Sequence, residues 1–298
     1  MMSMQRRVLL GVMACVCVPA ALWATDAQAA PPSLSAQQIV EKHVAARGGL
    51  SVWRAVQTMS WSGSMEAGAG DSVTRSKLWV AQTWGRKGGK GPKPAAADTA
   101  KDAAAPKPDA KQVLLPFVME VKRPGMSRVE LEFEGKKAVQ VFDGKNGWMT
   151  RPYLNRTDWE PFSKEQTESQ AGKWDVDGPL FDYAAKGTKV ALEGVDKVDG
   201  QDSYRLKLTL KDGKVQHIWI DAHSFLDVKV EGAPRRMDGR MHPVYVYQRD
   251  FRTVQGGVLV PFVLETVVDG YPDTHKMLIE KVALNPKLDD ALFTKPTA

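Results

Sequence analysis

The chain is 298 residues long, carries a formal net charge of +6 and contains two cysteines, Cys15 and Cys17. The positive charge is concentrated in residues 86–111, which hold seven basic and three acidic side chains, so it does not indicate nucleic-acid binding. The rest of the chain is nearly neutral and, beyond Cys17, free of cysteine, which excludes disulfide scaffolds and thiol catalysis there.

The N-terminus has the pattern of an export signal. Two arginines precede an uncharged run over residues 8–23, and Ala27-Gln28-Ala29 supplies the small residues of a cleavage site. We therefore predict a signal peptide over residues 1–29, cleaved after Ala29. The sequence around Cys15 resembles a bacterial lipobox, so acylation of this cysteine is the second interpretation. An uncleaved membrane anchor is disfavoured because Pro19 interrupts the apolar run.

Residues 30–298 are predicted to form a single domain, which is long enough to bury roughly 70–75% of the surface of the unfolded chain. Residues 86–111 interrupt this domain. The segment lacks large apolar side chains and is rich in Ala, Pro, Gly and Lys, so it cannot bury enough surface to offset the entropy of ordering. We predict a disordered insertion, and contact of its lysines with anionic lipid is the alternative.

The predicted domain begins with an amphipathic helix. Ser35 and Gln38 have the spacing of a capping box, apolar residues follow at helical spacing, and Gly48-Gly49 ends the pattern. A short helical turn is predicted over residues 50–56. The period then changes to two, because apolar residues from Met59 onwards alternate with serines, which predicts a strand.

The longest alternation of apolar and polar residues runs from Leu114 to Tyr153. Val129, Leu131 and Phe133 point to one side of a predicted strand, and the glutamates that follow each of them point to the other. Arg128 shares the side of the glutamates, so we expect it to be an exterior or rim charge. The stretch predicts an antiparallel sheet with one apolar face.

Two hairpins are predicted around this stretch. Asp143-Gly144 is typical of a two-residue turn, because such turns require positive φ angles. Residues 74–84 and 113–121 both have strand character, and we expect them to pair on either side of the insertion.

The C-terminal half continues as a meander. Ser163 and Gln166 form a second capping-box pattern, which predicts a short helix from Lys164 to about Gly172, and Asp177-Gly178-Pro179 breaks the chain. Seven more strands follow, most of them separated by turns that contain Gly or Asp. Roughly eleven strands without alternating helices exclude a doubly wound nucleotide-binding fold, and no phosphate-loop glycine motif is present.

One cluster has the residue types of a metal or acid–base site. His217, Trp219, Asp221 and His223 are spaced by two, but Asp221 to Ser224 has the pattern of a turn in which Asp and Ser bond to the backbone. We favour the turn, because no third ligand recurs at usable spacing. No Gly-x-Ser-x-Gly motif occurs, so we predict no catalytic residue, no metal site, no cofactor and no enzyme.

The apolar face of the predicted sheet is unusual because it is rich in methionine and aromatic residues. Such side chains form adaptable surfaces for apolar ligands, although an ordinary core uses them as well. The pattern alone leaves both interpretations open. The residues that we take as candidate ligand-binding, cavity-lining positions are Met59, Trp61, Met65, Phe117, Met119, Val129, Leu131 and Phe133.

Short stretches along nearly the whole chain, except the insertion, resemble the longer branch of the LolA-like outer-membrane lipoprotein-sorting proteins. The matching stretches are Ala45 to Leu50, Lys122-Arg123-Pro124 with Arg128, Asp143-Gly144 with Gly147-Trp148, Asp177 to Leu180, Trp219-Ile220-Asp221 with Phe225-Leu226, Asp250-Phe251-Arg252 with Gly257 and Pro261, and Asn285 to Leu288 with Phe293 and Pro296.

This resemblance implies a mainly β fold, in which one antiparallel sheet curves into an unclosed β-barrel and helices cover its concave face. It further implies a monomeric periplasmic carrier whose apolar concave surface receives lipid or the acyl chains of a lipoprotein. Inner- and outer-membrane transport proteins would then be partners, and nucleic acid would not. The alternative is a non-enzymatic envelope sensor or interaction module that uses the same fold. A hydrolase is the third hypothesis and lacks an identifiable set of catalytic residues.

Overall fold

The computed structural model describes residues 34–67, 113–170, 175–237 and 239–295. The predicted signal peptide with Cys15, the predicted strand over residues 74–84 and the insertion over residues 86–111 lie outside these ranges. Within the described residues, no helix combines the length and the apolar character needed to cross a membrane.

The described residues form thirteen strands and three α-helices, about two strands more than predicted. The strands are β1 Thr58–Ala67, β2 Val113–Lys122, β3 Met126–Phe133, β4 Lys136–Phe142, β5 Gly147–Arg151, β6 Arg156–Pro161, β7 Lys189–Val198, β8 Gln201–Thr209, β9 Val215–Asp221, β10 Asp227–Met237, β11 Arg240–Thr253, β12 Leu259–Val268 and β13 Thr274–Leu284. The helices are α1 Ala36–Ala46, α2 Leu50–Ala55 and α3 Lys164–Gln170, and 3-10 turns span Pro152–Leu154 and Asp290–Phe293.

All thirteen strands belong to one antiparallel sheet, in the order β6-β5-β4-β3-β2-β1-β13-β12-β11-β10-β9-β8-β7. Two meanders, β1 to β6 and β7 to β13, are joined where β1 pairs with β13. The terminal strands β6 and β7 do not pair with each other, so the sheet is not closed into a barrel. This architecture confirms the predicted fold class.

The register of the sheet defines two faces, because residues directly opposite each other in an antiparallel pair lie on the same side. One row joins Leu206, Ile218, Val230, Val246 and Thr266 across β8 to β12. The helices pack on the side that this row shares with the apolar residues of β1 to β3. We call this side the inner face and the opposite side the outer face.

Two apolar clusters fill the space between the inner face and the segments that cover it. Helix α2 contributes Trp53 to the first cluster, which also contains Val56 directly after the helix and residues of β1 to β4 and β12 to β13. Helix α1 contributes Ile39 and Val40 to the second, with residues of β8 and β9. Val44 packs against both clusters, so the core is continuous along the sheet.

Both predicted capping boxes are present. In α1, Ser35 Oγ accepts a bond from Gln38 N at 3.2 Å, and Ser35 N donates to Gln38 Oε1 at 2.9 Å. In α3, Ser163 and Gln166 exchange the same pair of bonds, at 3.2 and 2.7 Å. These reciprocal bonds satisfy amide groups at the helix start that have no partner within the helix.

One hairpin prediction was wrong in detail, and the other lies partly outside the described residues. The strand that begins at Val113 pairs with β1 and β3, and residues 74–84, its predicted partner, are not among the residues that the structure describes. The turn at Asp143-Gly144 contains four residues, because the Asp143 carboxylate accepts bonds from the amides of Lys145 and Asn146, at 2.8 and 2.6 Å, and so stabilises a wider loop.

The C-terminal segment lies on the outer face. Lys122 Nζ donates to Leu288 O at 3.0 Å, and Thr58 Oγ1 donates to Pro286 O at 2.7 Å. Arg128 Nη1 donates to Leu292 O at 3.2 Å and is paired with Glu130. The expected exterior position of Arg128 is therefore correct, and this arginine holds the last turn of the chain.

A buried ion pair fixes the end of α1 to the sheet. Arg47 Nη1 lies 2.6 Å from Asp227 Oδ1 on β10, and the two side chains are only 9% and 14% exposed. Gln248 Nε2 donates to the other carboxylate oxygen at 2.9 Å, and Arg47 Nε donates to Leu259 O at 2.6 Å. One arginine thus connects α1 to β10 and β12.

We predict that Asp227→Ala lowers the free energy of unfolding by about 3–5 kcal/mol, because it leaves the Arg47 guanidinium buried without its counter-ion. Urea denaturation of the purified protein measures the change. The control is Asp212→Ala, whose partner Lys214 lies on the surface; it should leave the midpoint unchanged. Equal midpoints for the two variants would contradict the assignment.

Candidate functional site

The structure places all eight predicted site residues on the inner face, in one apolar cluster. Trp61, Met119 and Val129 lie directly opposite one another on β1, β2 and β3, and Phe117 lies opposite Leu131 in the next row. The alternation of the sequence therefore assigned these side chains to the correct common face.

Burial divides the eight residues into two groups. Met59, Met65, Phe117, Met119 and Leu131 are buried and belong to the packed core. The other three, which are Trp61, Val129 and Phe133, are half-buried and pack against that core from its edge. Only the second group has surface that a ligand could contact without displacing the core.

Three further half-buried residues adjoin this group and were not predicted. Val282 lies opposite Trp61, Met277 lies opposite Met65, and Leu264 lies opposite Met277. These residues are on strands β12 and β13, which follow β1 by about two hundred residues, so nothing local in the sequence indicates their proximity. We call the six half-buried residues the inner apolar strip; they are Trp61, Val129, Phe133, Leu264, Met277 and Val282.

The segment over residues 175–187 covers part of the inner face together with α2. The ring of Phe181 lies 5.0 Å from that of Trp53 and 5.8 Å from that of His43. Phe181 is 1% exposed and belongs to the same apolar cluster as the buried site residues. The covering layer therefore has aromatic contacts to both helices.

Ion pairs hold the beginning of this segment. Asp177 lies 2.8 Å from Arg123 Nη2 and 2.7 Å from Lys186 Nζ. Burial raises the pKa of the Asp177 carboxyl, but Lys186 and Arg123 lower it by more, so its pKa is below the ordinary value. Burial raises the pKa of the neighbouring Asp175, which also pairs with Lys186 at 2.5 Å. The predicted chain break at Asp177 is thus a charged attachment point.

A polar group lies beyond β4 at the end of the inner face. Arg151 on β5 is paired with Glu160 on β6, and Tyr153 packs in the same apolar cluster as Leu131. Burial raises the pKa of the Tyr153 hydroxyl to about 12. Sequence reasoning missed these residues, because they lie at the very end of the alternating stretch, where Pro152 separates Arg151 from Tyr153.

No protein-family model and no curated protein matches the sequence. Among solved structures, a LolA superfamily protein from Nitrosomonas europaea is similar with a TM-score of 0.51 and 15% identity, over 88% of this chain and 99% of that one. A DUF1329 family protein from Desulfovibrio piger is similar with a TM-score of 0.50 and 12% identity, over 87% and 97% of the two chains. The chain has a LolA-like fold.

An open depression lies at one margin of the LolA-like sheet, between α2 and the ends of β11 and β13. Its volume is about 520 Å³. None of the eight predicted residues lines the depression. Half of the lining residues belong to α2 or follow it directly. The lining consists of Ser51, Val52, Ala55, Val56, Gln255, Gly256, Leu284 and Asn285. We place the candidate site at the inner apolar strip instead, because bulky side chains converge there.

The cluster around His217 lies apart from the inner apolar strip. His217 Nδ1 lies 2.5 Å from Glu231, and Trp219 Nε1 donates to Asp196 at 2.8 Å. Asp221 Oδ1 accepts bonds from the amides of His223 and Ser224, at 3.1 and 2.7 Å, which confirms the predicted turn. Within the described part of this LolA-like chain, no group of three or more His, Cys, Asp or Glu side chains is placed to hold a metal ion.

Buried His43 and half-buried His275 make the stability of this LolA-like fold dependent on pH. Burial lowers the pKa of His43, whose ring Nδ1 lies 2.9 Å from Phe225 O, and burial and the charge of Arg235 lower the pKa of His275. In the folded protein both pKa values lie below the ordinary value of 6.5. As the pH falls through 6.5, the unfolded chain therefore binds more protons than the folded protein does. Their contribution to stability is present above pH 6.5 and is lost below it.

We predict that the free energy of unfolding falls between pH 6.5 and 5, by up to about 1.4 kcal/mol per pH unit for each of the two histidines. His43→Phe should reduce this slope, and His223→Gln, in the exposed turn, should not. Urea titrations at several pH values measure the slopes. A slope that His43→Phe leaves unchanged would exclude His43 as a source of the pH dependence.

Proposed function

We propose that this protein is a periplasmic, non-enzymatic carrier that binds lipid or the acyl chains of a lipoprotein against the inner apolar strip. The observation that carries the proposal is the strip itself, in which six apolar side chains on four strands are left half-buried on the covered face of an unclosed sheet. The LolA-like fold supports it, because a LolA superfamily protein has the same architecture.

The physical demand on such a carrier is large. Each methylene group costs about 0.8 kcal/mol to expose to water, so an acyl chain of about twelve carbons costs on the order of 10 kcal/mol. Trp61, Met277 and their neighbours offer apolar surface that a chain can cover, and methionine side chains adapt to chains of different shape. A carrier of this kind works as a monomer and exchanges its cargo with transport proteins of the inner and outer membranes.

Lipid extraction tests the proposal directly. Protein purified from the periplasm after expression with its own N-terminus is extracted with organic solvent, and the extract is examined by mass spectrometry. We expect lipid or acylated peptide in stoichiometric amounts. Repeated preparations without lipid, together with no uptake of a fluorescent fatty acid, would exclude the carrier function.

We predict that Trp61→Glu and Phe133→Glu each weaken binding of a fluorescent fatty acid by at least about tenfold, because a buried carboxylate beside the chain must be desolvated. Fluorescence titration measures the affinity, and circular dichroism shows that the variants are folded. Both positions are half-buried, so the core residues keep their packing.

The matched control is Val118→Glu, on β2 but on the outer face, where the side chain is 37% exposed. It introduces the same charge in the same sheet and should leave the affinity unchanged. The site assignment fails if all three variants bind equally well, or if the two inner-face variants are unfolded and the control is not.

A non-enzymatic sensor or interaction module of the envelope is the second candidate. Among the described strands, β6 and β7 each have one edge without a paired neighbour, and this favours it because an unpaired strand can add a strand of a partner protein. Val195 on β7 is 44% exposed and offers an apolar contact beside that edge. Isolation of one stoichiometric protein partner, with no lipid in the extract, would favour this candidate over the carrier.

A further inference from the structure

Two buried donor groups at the β5–β6 end of the inner face have no acceptor. Arg151 and Tyr153 are each 8% exposed. Within the described residues, neither Arg151 Nε nor the Tyr153 hydroxyl has a hydrogen-bond partner. Buried polar groups are nearly always paired in folded proteins, so two such groups two residues apart require an explanation.

The chemistry of these groups defines the partner that is missing. A guanidinium N–H can only donate, and a phenol, which is protonated at neutral pH, can donate its O–H as well. A partner shared by both groups is therefore an acceptor. The two residues are two positions apart in the chain, and both side chains are buried.

The charges around these donors favour a negatively charged acceptor. Glu160 is paired with Arg151, and Arg156 Nη1 lies 3.5 Å from its other oxygen. Two guanidinium groups and one carboxylate leave a net charge of +1. Because burial already lowers the pKa of Arg151, an added anion would offset the cost of keeping this guanidinium out of water.

The position of Tyr153 connects these donors to the candidate site. Its ring packs in the apolar cluster that contains Phe117, Leu131 and Ala138, and this cluster borders Val129 and Phe133 of the inner apolar strip. A ligand at the strip would therefore have an apolar surface along its length and two free donors with a positive charge near one end. This combination fits an amphiphile and not a plain hydrocarbon.

We propose that Arg151 and Tyr153 bind the oxyanion, a carboxylate or phosphate, of an amphiphile whose chain lies along the inner apolar strip. The proposal rests on the carrier function and adds the chemistry of the headgroup. Tyr153 and Arg151 donate to the anion, Glu160 holds the Arg151 guanidinium in place, and Arg156 pairs with the other oxygen of Glu160.

The test compares three ligands of equal chain length, dodecanoate, dodecyl phosphate and dodecanol, with inorganic phosphate as a fourth probe. Isothermal titration calorimetry of the mature protein measures each affinity. Tyr153→Phe removes only a hydroxyl that has no partner in the described structure, so the variant should fold and melt at an equal or higher temperature. The control is Tyr247→Phe, which removes a phenol hydroxyl on the outer face. The Arg249 guanidinium lies 5.2 Å from the centre of the Tyr247 ring, so this tyrosine also has an arginine beside it.

We expect Tyr153→Phe to weaken the binding of dodecanoate and dodecyl phosphate by about tenfold or more, because one hydrogen bond to a charged group is lost, and the binding of dodecanol by less than about twofold. Arg151→Lys should likewise weaken the binding of the two anionic ligands more than the binding of dodecanol. Tyr247→Phe should leave all three affinities unchanged. Inorganic phosphate should bind far more weakly than dodecyl phosphate, because it lacks the chain.

Each contrary result has a distinct meaning. Equal weakening of all three amphiphiles by Tyr153→Phe, or no weakening of any, would overturn the headgroup assignment while the carrier function stands. Inorganic phosphate that binds as tightly as dodecyl phosphate would show a site for the free anion and would also overturn it. No binding of any amphiphile to the unmodified protein would exclude both the headgroup site and the carrier function.

Discussion

The pairing of β1 with β13 is the constraint on which the rest of the structure depends. It joins two meanders that would otherwise be separate sheets, each with an exposed edge. The backbones of β1 and β13 lie close together at Gly63, where the register of the pair shifts. A Cβ atom on Gly63 would lie 2.0 Å from Leu278 O, so only glycine fits there. Because of this pairing, Trp61 on β1 and Val282 on β13 lie opposite each other, and the inner apolar strip extends over both halves of the chain.

The covering layer depends on the same junction. Helix α1 packs over β8 and β9, α2 packs near β1 and β13, and the link between the two helices begins at Arg47. This arginine bonds Asp227 and Leu259 and stacks on the Trp53 ring at 5.2 Å. A buried ion pair of this kind contributes little net energy relative to apolar packing, but its geometry is strict. It therefore fixes the helices over the sheet and determines which apolar side chains stay half-buried.

The sequence predicts those structural features that depend on residues close together in the chain, and it does not predict those that depend on residues far apart in it. The faces of β3 and the caps at Ser35 and Ser163 follow from residues within a few positions, and they were predicted correctly. The pairing of β2 with β1 was not predicted, because about forty-five residues separate the end of β1 from the start of β2. Alternation also cannot separate buried Leu131 from half-buried Phe133, since that difference is set by distant covering residues such as Phe181. The unpaired donors of Arg151 and Tyr153 have no sequence signature at all.

The free edges at β6 and β7 have a mechanical consequence. In a closed barrel the number of strands and their stagger fix the circumference, so the interior cannot widen without breaking backbone hydrogen bonds. In this sheet no ladder spans the gap between β6 and β7. A change in curvature, distributed over twelve strand pairs, can therefore alter the enclosed volume while every inter-strand bond is retained. The gap between β6 and β7 therefore lets the curvature of the sheet vary without loss of its hydrogen bonds.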